Sequence, residues 1–242
     1  MIVGQASLTD TALWNAVMIN KEIILNFHGI GKPHAQVGPD EIPYWIEEDF
    51  FDDILVLAKS HRNSRMVVFT FDDGNRSDLT IAAERLQSRG LTGKFYLLAS
   101  RFGSPHYLSR DDARCLCEAG MEIGLHGRDH VDWRTVAPAR LADETIAAKQ
   151  EISAAIGRAV DSVAIPFGAY NARVIRHLRA CQFERIYTSD GGVASARNQI
   201  RNRTSIRSNM GIADVLAILD EHEATTTRAR RLVSTTLRRY LV

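Results

Sequence analysis

Positive charge is missing from the start of this chain: no Lys or Arg precedes Lys21, while Asp10 lies within the first stretch. A secretory leader needs a basic n-region, so the pattern predicts none. No run approaches the roughly 18 consecutive apolar residues of a membrane span. Cysteine is scarce: Cys115, Cys117 and Cys181 form neither an even disulfide framework nor a paired zinc-ligand spacing, which fits a reducing compartment. These absences predict a cytoplasmic protein. Net charge is nearly absent, at +1, so nothing general draws the chain to nucleic acid. Gly29-Ile30-Gly31 lacks the third glycine of a dinucleotide fingerprint. Gly31-Lys32 lacks both the upstream glycine and the hydroxyl residue of a phosphate loop. The chain has no internal repeat and no low-complexity segment.

What is present suffices for one core: 242 residues, 45% hydrophobic and 24% charged, read as a single domain over 1–242. Strand-like runs recur near 22–27, 66–71, 94–99, 121–126, 162–166, 184–188 and 204–207, with helical patterns between most of them, as at Ile81 to Ser88, Arg110 to Glu118 and Leu141 to Ile156. Such alternation predicts an α/β fold, a parallel sheet covered by helices.

The chemistry concentrates in two segments. Thr70-Phe71-Asp72-Asp73-Gly74 ends the apolar run Met66-Val67-Val68-Phe69, and His126-Gly127-Arg128-Asp129-His130 ends a later one. Asp73, His126 and His130 offer one carboxylate and two imidazoles, a ligand set suited to one divalent ion such as zinc, with cobalt, nickel or manganese as alternatives. Three protein ligands leave a position open for water or substrate. Neighbouring side chains on a strand face opposite ways, so Asp72 and Asp73 must lie where the strand breaks, and Gly74 supplies the freedom. Site residues at strand C-terminal ends make a TIM-type barrel the natural closure.

These motifs resemble the polysaccharide deacetylases, the NodB-homology or family 4 carbohydrate esterases, over roughly residues 22 to 207. The family reads T-F-D-D-G at its first motif and H-[ST]-x-x-H at its second. The resemblance makes Asp72 the general base and Asp73, His126 and His130 the metal ligands, with Gly127 in place of the loop-bracing hydroxyl residue. It also sharpens the fold to a distorted (β/α) barrel of about seven parallel strands. The third motif, R-x-P-[YF]-G, survives as Ala164-Ile165-Pro166-Phe167-Gly168. It implies an oxyanion donor in the backbone N–H of Phe167 and a substrate contact at Pro166. Its arginine is absent, and Arg203, ahead of Thr204-Ser205-Ile206, is the candidate replacement. The fourth motif leaves Asp190 as the orienting carboxylate, or as part of an Asp-Gly-Gly turn. The fifth, L-x-x-H, occurs twice. His222 falls in a helical pattern that turns it to solvent. Leu25-Asn26-Phe27-His28 closes the first strand, which matches a permuted branch of the family with the fifth motif at the front and makes His28 the general acid.

The resemblance implies a metal-dependent deacetylase acting on an N-acetyl sugar. Combined with the expected location, it favours a nucleotide- or lipid-linked precursor in surface polysaccharide biosynthesis, such as O-antigen, capsule or exopolysaccharide. A formamide or cyclic-amide hydrolase on the same barrel is the rival enzyme, and a carbohydrate-binding relative without turnover is the rival of another class. Trp45 and Trp133 are candidates to stack on the sugar, with the loop from Gly31 to Pro43 overhanging the site. A basic helix at about 225–242, with Arg228, Arg230, Arg231, Arg238 and Arg239 among Leu232, Val233, Leu237 and Leu241, offers peripheral contact with an anionic membrane.

Overall fold

The computed structural model describes residues 20–222 and 225–240, with the side chains of 225–228 outside that set. The expectation of no leader and the last two residues of the basic tail therefore fall outside the described residues, as does the Arg228 side chain.

Eight parallel strands run in the order β10-β8-β7-β6-β5-β4-β1-β11 and nearly close into a barrel. They are β1 (Lys21–Phe27), β4 (Val67–Asp72), β5 (Gly93–Leu98), β6 (Glu122–Gly127), β7 (Ser162–Ala164), β8 (Arg185–Thr188), β10 (Ile200–Asn202) and β11 (Thr204–Ser205). The two edge strands are consecutive in the chain, separated by Arg203 alone. β10 pairs with β8 through Ile200↔Ile186, and β11 pairs with β1 through Leu25↔Thr204. Residues 200–205 thus form one stave that leaves one edge and joins the other. Counted once, it makes the expected seven. A short antiparallel piece, β9 (Ala194–Ser195), pairs with the start of β1, and a two-stranded flap joins β2 (Gly29–Ile30) to β3 (Trp45–Ile46).

Period-two alternation explains the two faces. Phe27 of β1, Phe71 of β4 and Phe95 of β5 point outward and stack at 5.3 and 4.6 Å, beneath Phe51 of α1 (Glu48–Ser60). Ile24, Tyr96, Ala164, Tyr187 and Ala194 point inward and fill the barrel's lower end. Above them lie the inward polar residues Asn26, Thr70 and Arg203, all buried. The crossover helices are α2 (Asp78–Ala83, π-wound, continuing as Glu84–Ser88), α3 (Arg110–Glu118), α4 (Pro138–Ala142 through Asp143–Ala147 and Ala148–Ile156) and α5 (Ala172–Ala180). α3 starts where the sequence has a capping box: Asp112 N–H donates to Ser109 Oγ at 3.1 Å and Ser109 N–H to Asp112 Oδ2 at 2.8 Å.

α6 (Ile212–Leu219) precedes α7 (Thr225–Tyr240), and no helix among the described residues is long and apolar enough to cross a membrane. On α7 the basic residues divide, Arg230 being exposed and three others turning toward the domain. Arg238 and Arg239 reach inward to Asp190, at 2.9 and 3.3 Å, and Arg231 packs on Gly192, while Leu232, Val233 and Leu237 are exposed. The buried Asp190 carboxylate is thereby paired with two guanidinium groups of the helix.

Gly124 of β6 makes room for the barrel interior. A Cβ there would meet the Tyr96 ring at 2.3 Å and Ser162 Oγ at 2.9 Å. Gly124→Ala should therefore destabilise the fold by about 1–3 kcal/mol, the usual cost of overpacking, read as a lower midpoint in urea denaturation with an unchanged slope.

Candidate functional site

The C-terminal ends of β1, β4 and β6 deliver the charged residues. Asp72 is the last residue of β4 and points inward, 2% exposed. Arg203 grips it with both arms: Nη1 donates to Oδ1 and Nη2 to Oδ2, each at 2.7 Å. Asn26, two residues before His28 and so on the same face, donates to Asp72 Oδ2 at 3.0 Å and accepts from Arg203 at 2.7 Å and Thr70 at 2.7 Å. Burial alone would raise the Asp72 pKa, but the Arg203 guanidinium outweighs it and holds the carboxyl well below the usual carboxylate range.

The chain then breaks. Asp73 takes φ 80 and Gly74 φ 69, turning the second carboxylate away from the first. Asp73 Oδ1 is buried without a hydrogen-bond partner, 3.7 Å from His126 Nε2 and 3.5 Å from His130 Nε2. Nδ1 of His126 hydrogen-bonds the Ala164 carbonyl at 2.9 Å, which assigns its proton there and leaves Nε2 a bare lone pair. Burial lowers the His126 pKa to about 3, and burial with the Arg101 cation lowers that of His130 to about 4, so both imidazoles are neutral at pH 7. Burial pushes Asp73 up to about 6. Three ligand atoms within 4.8 Å of one another, two neutral imidazoles and an orphaned carboxylate oxygen fit a divalent cation.

Around this centre lies a cavity of about 470 Å³ walled by His28, Asp40, Glu41, Tyr44, Phe167, Asp190, Arg203 and Arg207, among others. His28 Nε2 stands 4.0 Å from Asp72 Oδ2, and its ring leans on Tyr44 at 4.7 Å. Burial lowers its pKa. His222, the other L-x-x-H histidine, is exposed after α6. Phe167 adopts φ 58, which turns the Pro166–Gly168 segment into the cavity wall, and its ring stands over His130 at 4.2 Å.

Four expectations need correction. Trp133 is 0% exposed and Trp45 8%, so neither faces a ligand: Trp133 is packed behind the histidine loop, and the Trp45 ring lies against Gly29, where a Cβ would sit 2.2 Å away. The exposed aromatic at the cavity is Phe167, at 61%. Pro166 is buried, while its neighbours Ile165, Phe167 and Gly168 line the cavity. Asp190 does not orient His28. Its carboxylate accepts from Tyr170 Oη at 2.6 Å and Thr188 Oγ1 at 2.8 Å and is clamped by Arg238 and Arg239. Arg203, the candidate replacement for the absent third-motif arginine, pairs with Asp72.

Sequence reasoning missed the braces. Glu144, fully buried on α4, accepts from the backbone N–H of Arg128 at 2.8 Å and of Asp129 at 3.3 Å, and thereby holds the histidine loop. Gly127 is required opposite it, since a Cβ would meet Glu144 Oε2 at 2.9 Å. Glu41 and Arg101, beside His130 and Asp73, lie in a connection and a single 3-10 turn, too short to carry a periodic signal. Asn26 was detectable, as a polar residue inside a strand at the spacing that shares a face with His28.

Below the second turn, Asp78 is fully buried with neither carboxylate oxygen hydrogen-bonded. Burial first, then the charges of Asp73 and Asp72, raise its pKa well above the ordinary value. The unfolded chain releases this proton near pH 4 and the folded one retains it, so wild-type stability falls as pH rises above that point. Asp78→Asn should be more stable than wild type at pH 7 by thermal denaturation, with the gain shrinking toward pH 4 and absent below it.

Comparison with known proteins agrees with this geometry. A polysaccharide deacetylase family model matches residues 59–186. YxkH of Bacillus subtilis (strain 168), which bears that family's name, is 22% identical over 198 residues, or 77% of this chain and 71% of its own length. The solved structure of the Streptococcus pyogenes deacetylase PplD, in complex with acetate, shares the fold at a TM-score of 0.69 and 21% identity, covering 84% of this chain and 99% of that one. IcaB from Ammonifex degensii does so at 0.66 and 17%, covering 85% and 98%. With more than half of its length matched by the family model, Asp72, Asp73, His126 and His130 included, this chain belongs to the polysaccharide deacetylase family.

Proposed function

We propose that this protein hydrolyses the acetamide of an N-acetyl sugar with the help of one divalent metal ion, zinc being the best fit to a two-histidine, one-carboxylate set. The observation that carries the reading is the placement of two adjacent carboxylates in opposite states. Asp72 is locked as an anion by Arg203, and Asp73 is left with a free buried oxygen between two neutral imidazoles. An ion held by Asp73, His126 and His130 would polarise the amide carbonyl and bring the pKa of a water to about 7.

The chain's own residues supply the rest. Asp72 takes the proton of the attacking water as the C–O bond forms. The Phe167 N–H, presented by its left-handed turn, donates to the developing oxyanion. His28 rests neutral, its pKa lowered by burial, and lies beside Asp72. It therefore accepts the proton passed on from the water and delivers it to the amine nitrogen as the C–N bond breaks, giving acetate and a free amino sugar. Phe167, rather than either tryptophan, offers an apolar face to the sugar ring.

The substrate is a terminal or short N-acetyl glycan, of the kind carried on a nucleotide or lipid during surface polysaccharide synthesis. Supporting this is the cavity's enclosure: the 31–44 segment walls one side with Asp40, Glu41 and Tyr44, and the Ser189–Gly191 turn, backed by α7, walls another. Arg207 at the rim, donating to Tyr44 Oη at 2.7 Å, is placed to meet an anionic carrier.

Acetate release from short N-acetylated sugars, free and diphosphate-linked, is the direct test. Asp72→Asn should abolish turnover while zinc content stays at the wild-type level, and His28→Ala should slow turnover by about 10²- to 10⁴-fold. Formate release in place of acetate, or full activity in Asp72→Asn, would overturn the assignment.

A further inference from the structure

We propose that Glu41 is the outer partner of the metal ligand His130, and that it ties the 31–44 wall of the cavity to metal occupancy. This rests on the metal-site reading above. A histidine that ligates through one ring nitrogen carries its proton on the other, and that N–H is nearly always given to a carbonyl or carboxylate, which fixes the ring and raises its basicity. His126 obeys this through Ala164. His130 has the same need, and the atom facing its outer nitrogen is a carboxylate oxygen: Nδ1 lies 3.5 Å from Glu41 Oε1 while Nε2 lies 3.5 Å from Asp73 Oδ1.

Glu41 is itself held in place. Its backbone N–H donates to the Gly38 carbonyl at 2.9 Å, its Oε2 accepts from Gly38 N–H at 3.4 Å, and Arg101 stands 3.9 Å from Oε1. Arg101 also reaches within 3.5 Å of Asp73 and stacks on Tyr107 at 4.6 Å, so a single cation bridges the outer carboxylate and the ligand carboxylate. Glu41 belongs to a segment far from the two metal-binding motifs in sequence, and its neighbours Asp40 and Tyr44 line the same cavity. Whatever Glu41 adds to metal affinity, the metal adds equally to the ordering of this segment, because the coupling is reciprocal. Metal binding thus helps build the substrate wall as well as the reacting centre. Glu41 is a positioning residue in this scheme: it acts on the metal site through His130.

The experiment is zinc affinity of the full chain by competition with a chromophoric chelator, with hydrogen exchange over residues 36–44 measured with and without zinc. Glu41→Ala should weaken zinc binding by about 10- to 100-fold. Glu41→Gln, which keeps the acceptor but not the charge, should fall between that and wild type, and Glu47→Gln, an exposed carboxylate on the same connection, should match wild type. Zinc should slow exchange of the 36–44 amides in wild type and not in Glu41→Ala. Equal zinc affinity in wild type and both Glu41 variants, with His130→Ala strongly weakened, would overturn the proposal and leave the metal site standing. Undiminished zinc binding by His130→Ala would remove the metal-site reading as well.

Discussion

The ion pair between Arg203 and Asp72 is where fold and site meet. Two fully buried charges are costly to desolvate, and only good geometry repays the cost. Here it is bidentate, and Asn26 bonds both partners. Removing either partner would strand a buried charge at about 3–5 kcal/mol. The same arginine is the one residue between the two halves of the closing stave. Its N–H donates to Thr188 of β8 and its carbonyl accepts from Gly191, while the next residues pair with β1. Closing the barrel and setting the charge of Asp72 are therefore one event, and the Tyr96 and Tyr187 rings under the guanidinium, at 5.5 and 5.9 Å, give it a polarisable floor.

From that lock follows the division between adjacent carboxylates. A strand would send Asp72 and Asp73 to opposite faces. The left-handed turn at Asp73 keeps both at the same end of the barrel while separating their partners. Asp72 receives its counter-charge from Arg203, through two hydrogen bonds. Asp73 Oδ1 has two neutral imidazoles at 3.5 and 3.7 Å and the single cation Arg101 at 3.5 Å, and none of them hydrogen-bonds it, so it keeps a free lone pair for a ligand. A fold that neutralised both equally would have no cation site, and one that neutralised neither would protonate them.

The framework was legible in the sequence because it is local. Period-two and period-3.6 patterns located the strands, and each motif sits where an apolar run ends, so Asp73, His126 and His130 converge as expected. His28 and Arg203 were reached only through motif resemblance and lie outside the matched 59–186 segment, at the two chain ends that a closed sheet brings together. What escaped notice has no local signature. Glu41 acts from the connection ahead of β3 and Arg101 from the single 3-10 turn after β5, and Glu144 reads as a surface helix residue until the tight Gly127 beside it is seen. Trp45 and Trp133 were misread because closeness in sequence to a ligand, for Trp133, or to a loop over the site, for Trp45, says little about exposure: both are buried. The inward rotation of the α7 arginines was hidden because their partner, Asp190, was assigned elsewhere.

The fate of Asp190 bears on how His28 works. The Asp190 carboxylate is turned toward Tyr170, Thr188, Arg238 and Arg239, and it makes no contact with His28. His28 Nδ1 is buried without a hydrogen-bond partner among the described residues, and the ring is placed instead by Tyr44 and by Asp72. A histidine backed by a carboxylate is made more basic and rests closer to the protonated form, whereas one backed by nothing stays neutral until a proton reaches it. The absence of an orienting carboxylate is therefore consistent with a proton carrier that is loaded by the attacking water rather than one that waits already charged. An unpaired buried nitrogen is an energetic cost in the free protein.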